Sequence, residues 1–272
     1  MNTSQLILGL ILSLLIGGLA WRARSLTASG AAAAAAVGGI IFGLGGLPWA
    51  ALLLTFFISS SLLSSLFSAR KENLGEKFAK GARRDWGQVL ANGGLGALLA
   101  LFHTLDPNAL WPWIAYSGAM AAVTADTWAT EIGVLSGRPA RLVTTGQAVE
   151  AGTSGAVSPL GLGASLGGAA TIGLISWAAA PVEDDYGLLI AAVSIAGLAA
   201  SLFDSLLGAT VQAIYFCPLC RKETEQHPLH SCGTATARLR GWRWLNNDLV
   251  NLAASAVGAG TALLIGLLAP AI

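Results

Sequence analysis

Apolar stretches of about twenty residues recur from one end of this chain to the other. Twenty helical residues are what a hydrocarbon core requires. Eight such stretches stand at about 5–21, 26–44, 47–68, 86–104, 109–134, 159–180, 187–214 and 246–269. A β-barrel would show alternating segments of about ten residues instead, and the sequence has none. Hydrophobic residues make up 54% of the 272 and charged residues 11%, whereas a soluble domain carries about 25% charged residues. The expectation is an all-α fold: a polytopic membrane helix bundle of about eight transmembrane helices, forming a single transmembrane domain over 1–272. The first run, "MNTSQLILGLILSLLIGGLAW", has no basic n-region and no clear cleavage site, so it reads as a retained span.

Eight spans leave four loops on one face: 22–25, 69–85, 135–158 and 215–245. The first holds Arg22 and Arg24, the second Arg70, Lys71, Lys77, Lys80, Arg83 and Arg84. The third holds Arg138 and Arg141, and the last Arg221, Lys222, Arg238, Arg240 and Arg243. Together these are all 15 Lys and Arg residues of the chain. The opposite loops carry Asp106 and the acidic "PVEDDYG". Basic loops stay in the cytoplasm, so the expected topology places this face inside and both termini outside, in a bacterial-type inner membrane or its equivalent. The net charge of +1 gives no reason to expect a nucleic-acid partner.

Ionisable groups at membrane depth are costly and tend to mark function. Asp126 and Glu131, in "ADTWATEIG", lie near the cytoplasmic end of the fifth span, and Asp204, in "FDSLLGATVQ", near the same end of the seventh. Asp248 opens the eighth span from that face and equally suits a helix start. The competing reading for each acid is an interfacial carboxylate or a helix-to-helix hydrogen bond. Asp126 and Glu131 are five positions apart, about 140° around a helix, so Asp204 is the better partner for Asp126. Small and polar stripes run beside them: Gln88, Asn92, Gly96; Gly197, Ser201, Asp204, Gly208, Gln212; and Asn247, Asn251, Ser255, Ala259. Such stripes face the bundle, because lipid offers no hydrogen bonds. "AAVTADT" at 121–127 and "AASLFDS" at 199–205 share A-A-x-x-x-D-[TS], which suggests a parallel internal repeat.

In "GTSGAVSPLG", Ser158 and Pro159 suit the N-cap and first position of a helix. Gly152, Thr153, Ser154 and Gly155 offer backbone N–H groups and hydroxyls ahead of it. A helix start with such a loop can hold phosphate, although an ordinary flexible loop has the same composition. Mg²⁺ typically takes one or two carboxylates plus substrate phosphates, so acids and loop together make a phosphate site the better reading. No G-x-x-x-x-G-K-[ST] and no G-x-G-x-x-G after a strand is present. His103, His227 and His230 form no plausible Ser-His-Asp set.

All three cysteines lie in "CPLCRKETEQHPLHSC". Cys217, Cys220, His230 and Cys232 make a Cys₃His array, a common closed set for structural zinc, with His227 as the alternative nitrogen ligand. A cytoplasmic loop disfavours disulfides; a redox or unligated cluster is the other reading.

"RRDWGQVLANGG", "ADTWATEIG", "AGTSGAVSPLG", "FDSLLGATVQ" and "LNNDLVN" together resemble the integral membrane family catalogued as domain of unknown function ninety-two. That family includes transmembrane-protein-nineteen-like proteins and the phytyl-phosphate kinases of tocopherol and phylloquinone synthesis. The resemblance runs from about residue 70 to 255. It implies phosphoryl transfer from a nucleoside triphosphate, CTP or ATP, to an isoprenyl monophosphate in the lipid bilayer. On that reading Asp126 and Asp204, with Glu131, hold Mg²⁺. Asn92, Asn247 and Asn251 orient phosphate or metal-bound water, and Arg83, Arg84 and the 152–158 loop hold nucleotide phosphates. A small-solute or ion transporter with an intramembrane acidic site is the rival expectation, and a non-catalytic assembly protein a third.

Overall fold

The computed structural model describes residues 3–67, 83–180 and 187–268. The basic residues Arg70, Lys71, Lys77 and Lys80 and the acids Glu183, Asp184 and Asp185 lie outside them. Seven helices run through the described residues: α1 (Thr3–Arg22), α2 (Ala28–Leu66), α3 (Trp86–His103), α4 (Trp111–Gly133), α5 (Pro159–Ala178), α6 (Gly187–Thr210) and α7 (Asn247–Leu268). Five of them, α1, α2, α5, α6 and α7, are long and apolar enough to cross a membrane.

The 39 residues of α2 are not one rod. Gly46 has φ 75° and ψ −163°, which glycine reaches at no steric cost, and Pro48 then starts the second limb with its missing N–H where no helical partner is needed. The second limb folds back beside the first, so that Gly38 faces Leu53 and both ends of α2 meet Arg84. Thr27 N donates to Arg84 O at 3.0 Å, and Arg84 Nη1 donates to Ser61 Oγ at 2.9 Å. The break falls between the second and third expected spans.

Packing is the reverse of a soluble protein's. On α1 the buried residues are Gly9, Ser13, Gly17 and Ala20, while Ile7, Leu10, Ile11, Leu14, Leu15 and Leu19 are exposed. A Cβ on Gly9 would sit 2.8 Å from Gly43 N, so the two backbones touch. Lipid removes the hydrophobic drive to bury leucine, and close approach through small residues supplies the association instead. Exposed tryptophans ring both ends of the bundle: Trp21, Trp86, Trp242 and Trp244 at one, Trp111 and Trp177 at the other. Two such belts mark the two membrane–water interfaces.

Helix α4 is the axis of the bundle. Every residue from Pro112 to Ala125 is buried, and α2, α3, α5, α6 and α7 all pack on it. A helix that meets only protein can carry Tyr116, Ser117, Thr124 and Asp126 without facing lipid. Half of it is locked by aromatic packing: Trp49 stacks on Tyr116 at 4.5 Å and meets Trp113 at 5.7 Å and His103 at 5.3 Å.

The all-α expectation needs one correction. Two small antiparallel sheets sit at the end where all the described Lys and Arg residues lie. The first, in the order β2-β1-β3, joins β1 (Ala140–Leu142), β2 (Ala148–Val149) and β3 (Ala156–Val157). The second, β5-β4-β6, joins β4 (Ile214–Cys217), β5 (Lys222–Thr224) and β6 (Ala237–Arg240). Strands of two to four residues are too short for a period-2 pattern to register, so the flexible-loop reading of 152–158 gives way to a structured turn entering β3.

Candidate functional site

A cavity of about 620 Å³ opens between the helix ends at this basic end of the bundle. Three helices begin at it. Asp85 caps α3 in a reciprocal box with Gln88, its carboxylate accepting from Gln88 N at 3.0 Å. Ser158 caps α5, accepting from Gly161 N at 3.0 Å. Asn246 Oδ1 accepts from Leu249 N at the start of α7. Each cap fixes a helix N-terminus, where the aligned peptide dipoles leave about half a positive charge. From these helices Gln88, Asn92, Ser158, Asn247 and Asn251 line the cavity.

Two helices end at it and supply the acids. Asp126 of α4 and Asp204 of α6 both face the cavity, on helices that run the same way and touch where a Cβ on Gly197 would meet Ala121. The two carboxylates lie within electrostatic reach of each other and of Glu225. Asp204 Oδ2 is fully enclosed and accepts no hydrogen bond among the described residues. A buried carboxylate oxygen without a donor is costly, and a hard divalent cation such as Mg²⁺ is the ligand this donor set fits.

Glu131 also lines the cavity but has other business. It accepts from Ser64 Oγ at 2.7 Å and is the charged neighbour of Arg84, which also lines the cavity. Helix α4 continues to Gly133 without a bend, so Asp126 and Glu131 stay on different faces. Arg83, expected as a phosphate ligand, does not line the cavity; its Nη2 donates to Leu26 O at 3.3 Å. Arg83 lies in a bend, whereas the Arg84 backbone is tied to Ser25 and Thr27 and its side chain donates to Ser61 Oγ, so the two arginines turn to different partners.

The 152–155 turn forms another wall. Gly152 has φ 77° and Gly155 φ 81°. A Cβ on Gly155 would lie 2.3 Å from Ala209 N, so the turn rests directly on the end of α6. Ser154 Oγ donates to Gln212 Oε1 at 3.1 Å, and Gln212 Nε2 donates to Glu225 Oε1 at 2.7 Å. Arg240 donates to both Gly208 O and Ser154 O. Thus the turn, the end of α6 and the second sheet form one unit. Glu225 and Ser64 are among the cavity residues that sequence reasoning missed. Ser64 sits at the end of the third expected span and Glu225 among the spacer residues of the cysteine array, so neither stood apart from the reading already given to its segment.

The four knuckle residues converge outside the cavity. One ligand atom from each of Cys217, Cys220, His230 and Cys232 lies within 4.8 Å of all the others. His227 instead stacks on Tyr215 at 4.3 Å, so His230 is the nitrogen of this cluster. The Cys232 thiol is pulled down to about 6, chiefly by hydrogen bonding with Thr234 and then with His230, while hydrogen bonding with Cys232 and burial push Cys220 up to about 12.

The chain is 34% identical to Protein PGR of Arabidopsis thaliana over 268 residues, 91% of each chain. It is 34% identical to the uncharacterized membrane protein MJ0933 of Methanocaldococcus jannaschii over 188 residues, 69% of this chain and 75% of that one. Against the uncharacterized membrane protein sll0875 of Synechocystis the identity is 28% over 231 residues, 81% and 77% of the two chains. No solved structure matches. Residues 11–259 match the family described as Integral membrane protein DUF92, and the chain belongs to that family.

Proposed function

We propose that the protein is a membrane-embedded kinase that transfers a phosphoryl group from a nucleoside triphosphate, CTP or ATP, to an isoprenyl or phytyl monophosphate. The observation that carries this reading is the meeting, in one cavity, of Asp126 and Asp204 with three helix N-termini and Arg84. Carboxylates alone would repel a phosphate, and donors alone would not hold a metal; a metal–triphosphate complex uses both. A phosphate oxygen of the prenyl monophosphate attacks the γ-phosphorus. The bond from that phosphorus to the β–γ bridging oxygen breaks, and the nucleoside diphosphate leaves with the electron pair. Mg²⁺ bound at Asp126 and Asp204 would neutralise charge on the phosphates. Arg84, Asn92, Asn247, Asn251 and the N–H groups of the 152–155 turn and α5 would hold and align them, which is most of what this chemistry demands.

Counting the two limbs of α2 separately, we place eight crossings in the bilayer, with the basic end and its cavity in the cytoplasm and both termini outside. Asp126 and Asp204 then occupy matching places in a parallel repeat. The transporter reading has less support, because the half of the bundle beyond the acids is filled by the Trp49–Trp113–Tyr116 cluster. The test is turnover by purified protein with Mg²⁺ and CTP or ATP over a panel of prenyl monophosphates. Diphosphate formation supports the reading. Nucleotide-independent solute flux in proteoliposomes, without diphosphate, overturns it.

A further inference from the structure

The second sheet is bonded to the end of α6 and to the 152–155 turn, and it delivers a carboxylate into the cavity. Its own core is the cysteine cluster. Cys217 is completely buried and His230 nearly so. Cys217 Sγ lies 3.6 Å from Cys232 Sγ, and His230 Nδ1 lies 3.2 Å from Cys232 Sγ and 3.6 Å from Cys220 Sγ. The two inner sulfurs are not bonded: a disulfide would bring them to about 2 Å. Four donors around one point at these separations match a tetrahedron of Zn–S and Zn–N bonds of about 2.3 and 2.0 Å. The turn between the first two cysteines has the matching hydrogen bond, Cys220 N donating to Cys217 Sγ at 3.5 Å. Arg221, immediately after it, takes φ 53°, which turns the chain back into β5. With all four positions filled by protein, the site leaves no open place for a reacting ligand.

The consequence lies one strand away. Cys217 ends β4, which pairs with β5 through Tyr215 and Thr224, and Glu225 follows directly. Glu225 accepts from Gln212 at 2.7 Å, and Gln212 accepts from Ser154 of the 152–155 turn at 3.1 Å. From the other edge of the sheet Arg240 clasps the same turn. We infer that Cys217, Cys220, His230 and Cys232 bind one structural Zn²⁺, and that this metal holds the β4–β6 sheet so that Glu225 and Arg240 fix the cavity wall at residues 152–155. The inference does not depend on which reaction the cavity performs.

The test reads metal and protection, not turnover. Full-length protein purified in detergent, without added chelator, is expected to carry one zinc per chain by elemental analysis. The double variant Cys220→Ser, Cys232→Ser is expected to carry less than a tenth of that. Cobalt exchanged into the wild type is expected to give the intense sulfur-to-metal band of a tetrahedral thiolate site. Release of the zinc with an organomercurial is expected to raise amide exchange at least tenfold both in residues 214–240 and in residues 150–157, with α1 unchanged. Glu225→Gln, which keeps every ligand, is expected to retain the zinc; this separates metal loss from misfolding of the sheet. Wild-type protein without zinc, or thiol titration showing a Cys217–Cys232 disulfide, overturns the metal site. Zinc release that leaves 150–157 protected overturns its role at the cavity wall.

Discussion

Asp204 is the residue at which stability and function pull apart most clearly. Its enclosed Oδ2 has no hydrogen-bond donor among the described residues, and an unsatisfied buried polar group costs about 1–3 kcal/mol. Asp204→Asn is therefore expected to raise the unfolding temperature in EDTA by a few degrees while reducing turnover at least about 100-fold, a loss of roughly 2.7 kcal/mol of transition-state stabilisation. Thermal unfolding and a turnover assay on the same preparation measure both. The two adjacent arginines should separate similarly. Arg84→Ala is expected to weaken nucleotide binding by about 10- to 100-fold, the range for losing a hydrogen bond to a charged group, and Arg83→Ala to leave binding within about twofold, since Arg83 turns to Leu26 O. A nucleotide titration of each variant checks this. At this scale the sequence disclosed Asp126, Asp204 and the three asparagines, because polar residues stand out in apolar runs. It did not disclose Glu225, a spacer residue of the cysteine array 21 positions beyond Asp204, which the pairing of β4 with β5 and the bond from Gln212 bring to the cavity. Nor did it tell Arg83 from Arg84, whose side chains go to different partners, Leu26 O and Ser61 Oγ, fixed by how the chain returns beside α2.

Elements at the cavity are held by caps and by one left-handed turn. Gly155 combines φ 81° with a backbone neighbour 2.3 Å from where a Cβ would stand. Gly155→Ala therefore meets both a strained conformation, about 1–3 kcal/mol, and a collision with α6. The expected result is loss of phosphate binding together with lowered stability, read by nucleotide affinity and thermal unfolding. Ser158→Ala removes the cap of α5 together with the bond to Gly133 O and should cost about 1 kcal/mol. The helices were legible because a period of about twenty apolar residues is a strong signal. The break at Gly46 was legible too, as a Gly-Gly-Leu-Pro interruption between two such runs. The sheets were not: β2 and β3 have two residues each, and their partners are fixed by the turn geometry around Gly146 and Gly152, not by any local pattern.

Across the whole molecule, lipid sets the arrangement. Many leucines face outward, small residues and hydroxyls pack inward, and α4, buried throughout Pro112–Ala125, bears Asp126 just beyond that stretch. Charge follows the same logic, with the described Arg and Lys residues, the sheets and all three cysteines at one end. With that end in the cytoplasm, an impermeant maleimide applied to intact cells should label no native cysteine, and should label Asn108→Cys, which is exposed in the opposite loop. Labelling of the wild-type chain from outside would invert the topology. The central claim is that this polar end of an apolar bundle performs phosphoryl transfer. Its most direct test is the transfer of γ-phosphate label from CTP or ATP to a prenyl monophosphate by the purified protein with Mg²⁺. The account predicts labelled prenyl diphosphate from the wild type and none above background from Asp126→Asn or Asp204→Asn. Absence of label from every prenyl monophosphate and both nucleotides, or undiminished transfer by either variant, would contradict it.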